Sequence, residues 1–258
     1  MTDDPGALTP PLVTARIESV SARIAQAAAS AGRDPGSVRL MLATKMQSAA
    51  AVRVAVDAAR RLGLDVLVGE NRVQELVAKA PVFTELGVRA DLIGPLQSNK
   101  AGRALETMFS APVPGAVESV GTADTATRLG ARAAAAGRVL DVMVQVNVSG
   151  EPTKSGVTPS EAFELALRVA DDPGLRLVGF MTIGARSDDV SVVRSGFAAL
   201  RTVRDEVLAL GSPGTEHAVD LSMGMSGDLE AAVAEGATIV RVGTAVFGAR
   251  DRSPSGTR

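Results

Sequence analysis

The sequence contains no cysteine, no tryptophan and no tyrosine, and its one histidine is His217. Without cysteine, disulfide bonds and thiolate chemistry are excluded. One histidine is too few for a histidine-rich zinc site, and we expect no metal. A Ser-His-Asp triad would have to use His217, but no G-x-S-x-G turn accompanies it. We interpret His217 as structural or exposed, and no tyrosine of this chain can act as a catalytic acid or base.

Charge and hydropathy exclude two further classes of partner. The 258 residues include 27 basic and 29 acidic side chains, which are interspersed and give a net charge of −2. A nucleic-acid partner is not expected, because the basic stripe typical of such proteins is missing. No apolar run approaches the roughly 20 residues of a membrane-spanning helix. The acidic, proline-rich start MTDDPGALTPP is unlike a signal peptide, so we expect a cytoplasmic protein.

Short β-rich segments alternate with segments of helical periodicity along the chain. Strands are predicted at 38–44, 66–71, 89–94, 115–120, 141–148, 175–183, 218–224 and 238–244. Helices are predicted at 48–63, 72–86, 98–109, 122–136, 159–171, 189–210 and 227–235, after an extra helix that begins near residue 14. Eight such units without a second domain predict a single (β/α)8 TIM barrel with an extra N-terminal helix.

The alternative fold is an open, doubly wound sheet. Its best marker, G-x-G-x-x-G after the first strand, is missing, because LATKMQSAAA has no glycine. We therefore divide the chain into a disordered N-terminus at 1–13, a barrel domain at 14–250 and a disordered tail at 251–258.

Lysine is scarce, with Lys45, Lys79, Lys100 and Lys154 as its only occurrences. Lys45 ends the first predicted strand, and the C-terminal ends of barrel strands carry the chemistry. It could be solvated, it could be half of an ion pair, or it could form a Schiff base with an aldehyde. Partial burial would disfavour its ammonium form and make the amine nucleophilic.

Two segments late in the chain predict an anion site. LSMGMSGDLEAA (221–232) reads as a strand, a turn and a helix start, with Ser226 or Asp228 as the helix cap. Gly243 and Thr244 follow the eighth strand, where barrels often bind phosphate. An ordinary capped helix and turn is the alternative. Together with Lys45, a phosphate site suggests a phosphorylated aldehyde, with pyridoxal 5′-phosphate first and a ketose phosphate of a class I aldolase second.

Arg241 alternates with Val240 and Val242, so it is predicted to point into the barrel. A buried arginine needs an acceptor, which could be the pyridine nitrogen of the cofactor or an acid such as Glu70 or Asp220. Lys154 could contact a phosphate or a carboxylate, but we expect it to be solvated.

Seven motifs together resemble the pyridoxal phosphate homeostasis protein family, which is similar to the N-terminal barrel of alanine racemase. They are TK (44–45), GENRVQE (69–75), IGPLQSNK (93–100), VNVSGEPTKSG (146–156), GFMTI (179–183), LSMGMSGDLEAA (221–232) and VRVGTAVFG (240–248). The resemblance runs from roughly residue 14 to residue 250.

The resemblance implies that the barrel holds pyridoxal 5′-phosphate as an aldimine with Lys45. It places the arginine of the pyridine nitrogen at Arg241. It places the phosphate ligands at Ser222 or its neighbours Met223 and Ser226, and at Gly243 and Thr244. It also implies that Asn71, Asn147 and Met181 lie near the cofactor.

The chain departs from the family pattern at three positions. Ala90 and Asp91 stand where the family often has Trp-His, and Thr44 stands where serine is common before the lysine. A role of that aromatic pair in closing the site is therefore not expected here.

Two functions of different kinds fit these residues. Two-base racemisation needs an acid or base on each face of the substrate carbon. Lys45 could serve one face, but the racemase supplies the other from a tyrosine of a second domain in its dimer partner. An arginine on the pyridine nitrogen also makes the cofactor a poorer electron sink. We therefore expect a protein that buffers or delivers pyridoxal phosphate with no or negligible turnover.

The alternative function is a racemase-like enzyme that acts on amino acids, and an aldolase is a weaker third option. Besides the cofactor, the expected partners are apo-enzymes that depend on pyridoxal phosphate. We expect a monomer rather than a dimer.

Overall fold

A computed structural model describes residues 8–151 and 153–248, and within them eight parallel strands form a closed barrel in the order β1 to β8. The strands are β1 Arg39–Ala43, β2 Val66–Glu70, β3 Ala90–Leu92, β4 Ala116–Val120, β5 Leu140–Gln145, β6 Leu175–Met181, β7 Asp220–Ser222 and β8 Ile239–Val242. The predicted (β/α)8 barrel with an extra N-terminal helix is confirmed. Residues 1–7, 152 and 249–258, including the predicted tail, lie outside the described residues.

Helices connect the strands on the outside of the barrel. They are α1 Pro10–Ser30, α2 Ala49–Arg61, α3 Val73–Leu86, α4 Ala101–Ser110, α5 Ala123–Ala135, α6 Pro159–Ala170, α7 Val190–Leu210, α8 Leu229–Ala234 and α9 Thr244–Phe247. The prediction of disorder up to residue 13 is wrong for Pro10–Val13, because α1 already begins at Pro10. Two prolines fit the first turn of a helix, where no N–H needs an intrahelical acceptor.

The alternation of side chains along the strands creates two apolar cores. Val240 and Val242 belong to the larger core, between the barrel and its helices. A second cluster fills the inside of the barrel and contains Met41, Leu67, Met143, Met181 and Ile239. The inside of the barrel is therefore a packed core.

The two ends of the barrel differ in how their charges are satisfied. At the N-terminal end, Arg39 Nη2 lies 2.7 Å from Asp220 Oδ2, and Arg89 Nε lies 2.8 Å from Asp91 Oδ1. These pairs close that end with matched charges. The C-terminal ends of the strands open instead into a cavity lined by small, polar and apolar side chains, where the strands deliver most of the predicted site residues.

The extra helix α1 joins the start of the barrel to its end. Its apolar stripe, which includes Ile17, Val20 and Ile24, is buried. The helix packs against α2 on one side and against α8 and α9 on the other. It therefore covers the seam where β8 pairs with β1. Across the described ranges, no helix combines the length and the apolarity that crossing a membrane requires.

Candidate functional site

A cavity of about 320 Å3 lies at the C-terminal ends of β1, β2, β6, β7 and β8. Its lining includes seven of the predicted site residues: Lys45, Asn71, Met181, Ser226, Arg241, Gly243 and Thr244. The sequence reasoning missed the apolar part of the lining, formed by Ile93, Ile183 and Met225. Strand alternation would have found Ile93, which stands two residues after the inward-facing Asp91.

Lys45 projects from a tight turn that follows β1. The N–H of Gln47 donates to the carbonyl oxygen of Thr44 at 2.9 Å, which closes a four-residue β-turn with Lys45 in its second position. The third position is Met46, whose φ of 64° is usual for glycine or asparagine in a type II turn. After the turn, Ser48 caps α2 by accepting a hydrogen bond from the N–H of Ala51.

The turn rests on a cluster of charged side chains, here called the Lys79 cluster and made of Lys79, Glu70 and Glu75. Lys79 Nζ donates to Glu70 Oε1 at 2.8 Å, to Glu75 Oε2 at 3.1 Å and to the carbonyl oxygen of Thr44 at 2.8 Å. Burial raises the pKa of Glu70, and hydrogen bonds from Lys79 and Thr44 oppose that rise. Sequence reasoning missed this cluster, although Glu75 and Lys79 have the i,i+4 spacing of a helical ion pair.

Asn71 lines the cavity at a place where the end of β2 and the loop after β3 lie close together. A Cβ atom at Gly94 would lie only 2.1 Å from the carbonyl oxygen of Asn71. Glycine at position 94 therefore allows the loop after β3 to lie against the end of β2.

Arg241 lies buried inside the barrel at the bottom of the cavity, as the alternation along β8 predicted. Its Nη2 donates to the carbonyl oxygen of Thr182 at 2.6 Å, and its Nη1 donates to Ser222 Oγ at 2.8 Å. Ser222 Oγ in turn donates to Glu118 Oε2 at 2.6 Å. Burial lowers the pKa of Arg241, whereas the charges of Glu118 and Asp228 raise it.

The predicted acidic partners of Arg241 were wrong. Glu70 points to the outside of the barrel, where it bonds to Lys79. Asp220 lies at the opposite end of the barrel and pairs with Arg39. The acid connected to Arg241 is Glu118, through the hydroxyl of Ser222. Sequence reasoning missed Glu118, which is the middle residue of the otherwise apolar and small β4.

Glu118 is fully buried, and its Oε1 has no hydrogen-bond partner among the described residues. Burial, reinforced by the nearby carboxylate of Asp91, raises the pKa of Glu118 to about 7. The positive charges of Arg241 and Arg89 and the hydrogen bond from Ser222 act in the opposite direction. A carboxyl group that changes charge near neutral pH therefore lies two hydrogen bonds from the cavity.

Hydroxyl groups meet on the side of the cavity formed by the last two βα loops. Thr244 Oγ1 donates to Ser226 Oγ at 3.3 Å, and the N–H of Ala245 approaches the same oxygen at 3.4 Å. Asp228 stands at the N-cap position of α8, but its side chain accepts from the N–H of Met225 at 2.5 Å and makes no bond to the helix. Burial raises the pKa of Asp228, and that N–H opposes the rise.

Three predicted site residues lie outside the cavity lining. The side-chain amide of Asn147 donates to the carbonyl oxygens of Glu151 and Lys154, so it shapes its own loop. Met223 is buried in the core between barrel and helices. Ser222 lies one layer below the cavity, between Arg241 and Glu118.

Lys154 ties two loops together. Its Nζ donates to Glu151 Oε1 at 2.6 Å and to the carbonyl oxygen of Gly184 at 2.7 Å, and its side chain is only 19% exposed. The expectation of a solvated lysine was therefore wrong. The side chain of His217 is 58% exposed, as expected for a residue at the opposite end of the barrel.

Most of the chain matches one known class of protein. The family described as alanine racemase, N-terminal domain, matches residues 17–251. Among curated relatives, the pyridoxal phosphate homeostasis protein of Pseudomonas aeruginosa is 42% identical over 93% of this chain and 96% of its own length. The protein of the same name from Escherichia coli is 39% identical over 92% of this chain and 96% of its own length.

A solved structure agrees with these relatives. PipY of Synechococcus elongatus, whose structure has pyridoxal phosphate bound, superposes with a TM-score of 0.75 at 32% identity. The match covers 92% of this chain and the whole of that one. The chain therefore belongs to the pyridoxal phosphate homeostasis protein family within the alanine racemase N-terminal class.

Proposed function

We propose that the chain binds pyridoxal 5′-phosphate in the cavity at the C-terminal ends of the strands, with Lys45 as the covalent attachment point. One observation carries the proposal: a single cavity is lined by Lys45, Arg241, Ser226 and Thr244, whose side chains carry an amine, a guanidinium and two hydroxyls. The homeostasis proteins named above and the cofactor in PipY support the same ligand.

The donor set of the cavity fits this ligand. Hydroxyl groups and backbone N–H groups at Ser226 and Thr244 suit a phosphate. The apolar side chains of Ile93, Met181 and Ile183 offer a surface for an aromatic ring. The volume of about 320 Å3 lies within the range of about 300–1,000 Å3 that is usual for small-molecule sites.

Lys45 and Arg241 have different tasks in this proposal. Lys45 would supply the amine that holds the cofactor covalently at its aldehyde carbon. Arg241 is anchored from below by Thr182 and Ser222, which leaves further guanidinium N–H groups to donate to the pyridine nitrogen. Because arginine stays protonated, Arg241 would donate a hydrogen bond to that nitrogen without giving up its proton.

We infer a role in buffering or delivering the cofactor with no or negligible turnover. Of the side chains that line the cavity within residues 8–151 and 153–248, Lys45 and Arg241 are the ionisable ones. Removal and return of a proton on opposite faces of a substrate carbon needs two groups that exchange protons near neutral pH. Within the part of the chain that the structure describes, the cavity offers Lys45 for one face and no comparable group for the other. Apo-enzymes that depend on pyridoxal phosphate are the proposed recipients.

The attachment point is tested by reductive trapping. The purified chain is incubated with pyridoxal phosphate, reduced with borohydride and mapped by peptide mass spectrometry. We expect modification at Lys45, an imine absorption band before reduction, and loss of both in Lys45→Ala. Lys100→Ala is the matched control, because Lys100 follows β3 outside the cavity lining. An unchanged band in Lys45→Ala would exclude the assignment.

The absence of turnover is tested separately. The loaded protein is incubated with D-alanine and with L-alanine, and the chirality of each is followed by chromatography. We expect no more than a stoichiometric change. Racemisation over many turnovers would show a racemase-like enzyme instead of a carrier.

A further inference from the structure

We propose that Glu75 and Lys79 are positioning residues, which hold the turn Thr44–Gln47 so that the amine of Lys45 meets the cofactor's aldehyde. The inference rests on the proposed function and adds to it two residues that lie outside the cavity lining. It concerns the peptide groups on both sides of Lys45, which the Lys79 cluster holds.

The peptide group before Lys45 is fixed at its oxygen and at its side chain. The carbonyl oxygen of Thr44 accepts from Lys79 Nζ at 2.8 Å and from the N–H of Gln47 at 2.9 Å. Thr44 Oγ1 donates to Glu70 Oε1 at 2.6 Å. Both lone pairs of the carbonyl oxygen are therefore used, and the direction in which the chain enters the turn is set.

The peptide group after Lys45 is fixed by Glu75. The N–H of Met46 donates to Glu75 Oε2 at 2.5 Å. Burial works against ionisation of this carboxyl, but the N–H of Met46 and the ammonium of Lys79 lower the pKa of Glu75. Glu75 therefore stays ionised at neutral pH, and a carboxylate forms the stronger, charge-assisted type of hydrogen bond.

The backbone conformation of Met46 shows why the hydrogen bond to Glu75 is needed. Among residues 8–151 and 153–248, Met46 is the only non-glycine residue with a positive φ. Its side chain is not the reason, because Met46 is 72% exposed. A left-handed residue that carries a Cβ is disfavoured, and such residues persist only where their surroundings hold them. Here the bond from the N–H of Met46 to Glu75 holds it.

The Lys79 cluster is itself held in place, so it can support the turn Thr44–Gln47. Lys79 is buried, and its three ammonium hydrogens are matched by three acceptors: Thr44, Glu70 and Glu75. Glu75 and Lys79 lie one turn apart on α3, while Glu70 ends β2. The support therefore links the turn to two neighbouring elements of the barrel.

The position of the turn matters because the lysine side chain is long and flexible. Four rotatable bonds separate the Cα of Lys45 from its amine, so a small rotation of the peptide moves the amine by a large arc. Bond formation needs the reacting atoms in a narrow range of distance and angle. Loosening the turn should slow covalent attachment while leaving the contacts of the ring and phosphate in place.

The experiment compares three variants on α3. Glu75→Ala removes the acceptor of the Met46 N–H, whereas Glu75→Gln keeps an acceptor oxygen at the same place. Glu85→Ala changes another residue of α3, far from the turn. It removes an exposed ion pair with Arg53 of α2 and controls for general effects.

Three quantities are measured: the rate of borohydride-trapped attachment at Lys45, the affinity for pyridoxal phosphate by equilibrium dialysis in a Lys45→Ala background, and amide hydrogen exchange at Met46 without cofactor.

For Glu75→Ala we expect attachment to slow by roughly tenfold, the effect of losing one charge-assisted hydrogen bond. Hydrogen exchange at the Met46 amide should become faster. The affinity for pyridoxal phosphate in the Lys45→Ala background should not change. Glu75→Gln should recover part of the rate, because it keeps an acceptor oxygen but loses the charge, and Glu85→Ala should match the unmodified chain. Equal rates for Glu75→Ala and the unmodified chain would overturn the inference but leave the proposed function standing. No trapping at Lys45 in the unmodified chain would refute both.

Discussion

Replacing Glu118 by glutamine should change how the stability of the protein depends on pH. Glu118 is buried, and its surroundings raise its pKa in the folded state from 4.5 to about 7. The folded chain therefore binds a proton here more tightly than the unfolded chain does. By linkage, the contribution of Glu118 to stability is greatest below pH 4.5 and is lost as the pH rises through about 7.

The size of this effect follows from the same shift. Each pH unit between the two pKa values changes the free energy of unfolding by about 1.4 kcal/mol. Over the interval from 4.5 to about 7 the loss amounts to about 3 kcal/mol. Glutamine does not titrate, and its oxygen can still accept from Ser222, so Glu118→Gln should lack this loss. An unpaired amide in the buried site would add a penalty of about 1–3 kcal/mol that is the same at every pH.

The assay is urea unfolding of the cofactor-free chain and of Glu118→Gln at intervals between pH 5 and pH 8. The difference between the two free energies isolates Glu118, because Glu70 and the other carboxyls titrate in both proteins. From pH 5 to pH 8 we expect the free energy of unfolding of Glu118→Gln to rise by about 2–3 kcal/mol relative to that of the unmodified chain. A difference that stays constant with pH would show that Glu118 is ionised throughout, and would refute the account of its burial.

Two further predictions concern a helix cap and the hydroxyl groups of the cavity. Thr158→Ala should lower the free energy of unfolding by about 1 kcal/mol, because Thr158 forms a capping box with Glu161 at the start of α6. Thermal melting measures the loss of stability, and an unchanged melting temperature would contradict the prediction. The double variant Ser226→Ala, Thr244→Val should weaken binding of pyridoxal phosphate but not of pyridoxal in equilibrium dialysis. Equal losses for both ligands would show that these hydroxyls do not contact the phosphate.

The periodicity of the sequence was enough to predict the fold. In an α/β barrel each strand is buried on both faces, so strands read as short β-rich runs and helices as amphipathic stretches between them. The alternation of Val240, Arg241 and Val242 predicted correctly which side chain enters the barrel. The start of α1 was misplaced because two prolines next to an acidic segment resemble a disordered end.

The site was predictable where strand ends decide it, and less so where side chains from distant segments meet. Lys45 and Thr244 follow their strands directly, so topology alone brings them to one cavity. Ser222 could have been placed inside the barrel by the alternation that placed Arg241. The bond from Lys79 to the carbonyl of Thr44 spans 35 residues and depends on how α3 lies beside β1, which no local pattern encodes.

The seam covered by α1 has a consequence for how the chain folds. Strand β1 pairs with β8 from Arg39↔Ile239 to Leu42↔Val242, so the barrel closes only when segments two hundred residues apart meet. Until β8 arrives, β1 and β7 are open edges, and the apolar stripe of α1 lacks its partners α8 and α9. Open edges invite pairing with other chains, and distant contacts form slowly. During synthesis, the barrel therefore cannot close before residues 239–242, which form β8, have been made.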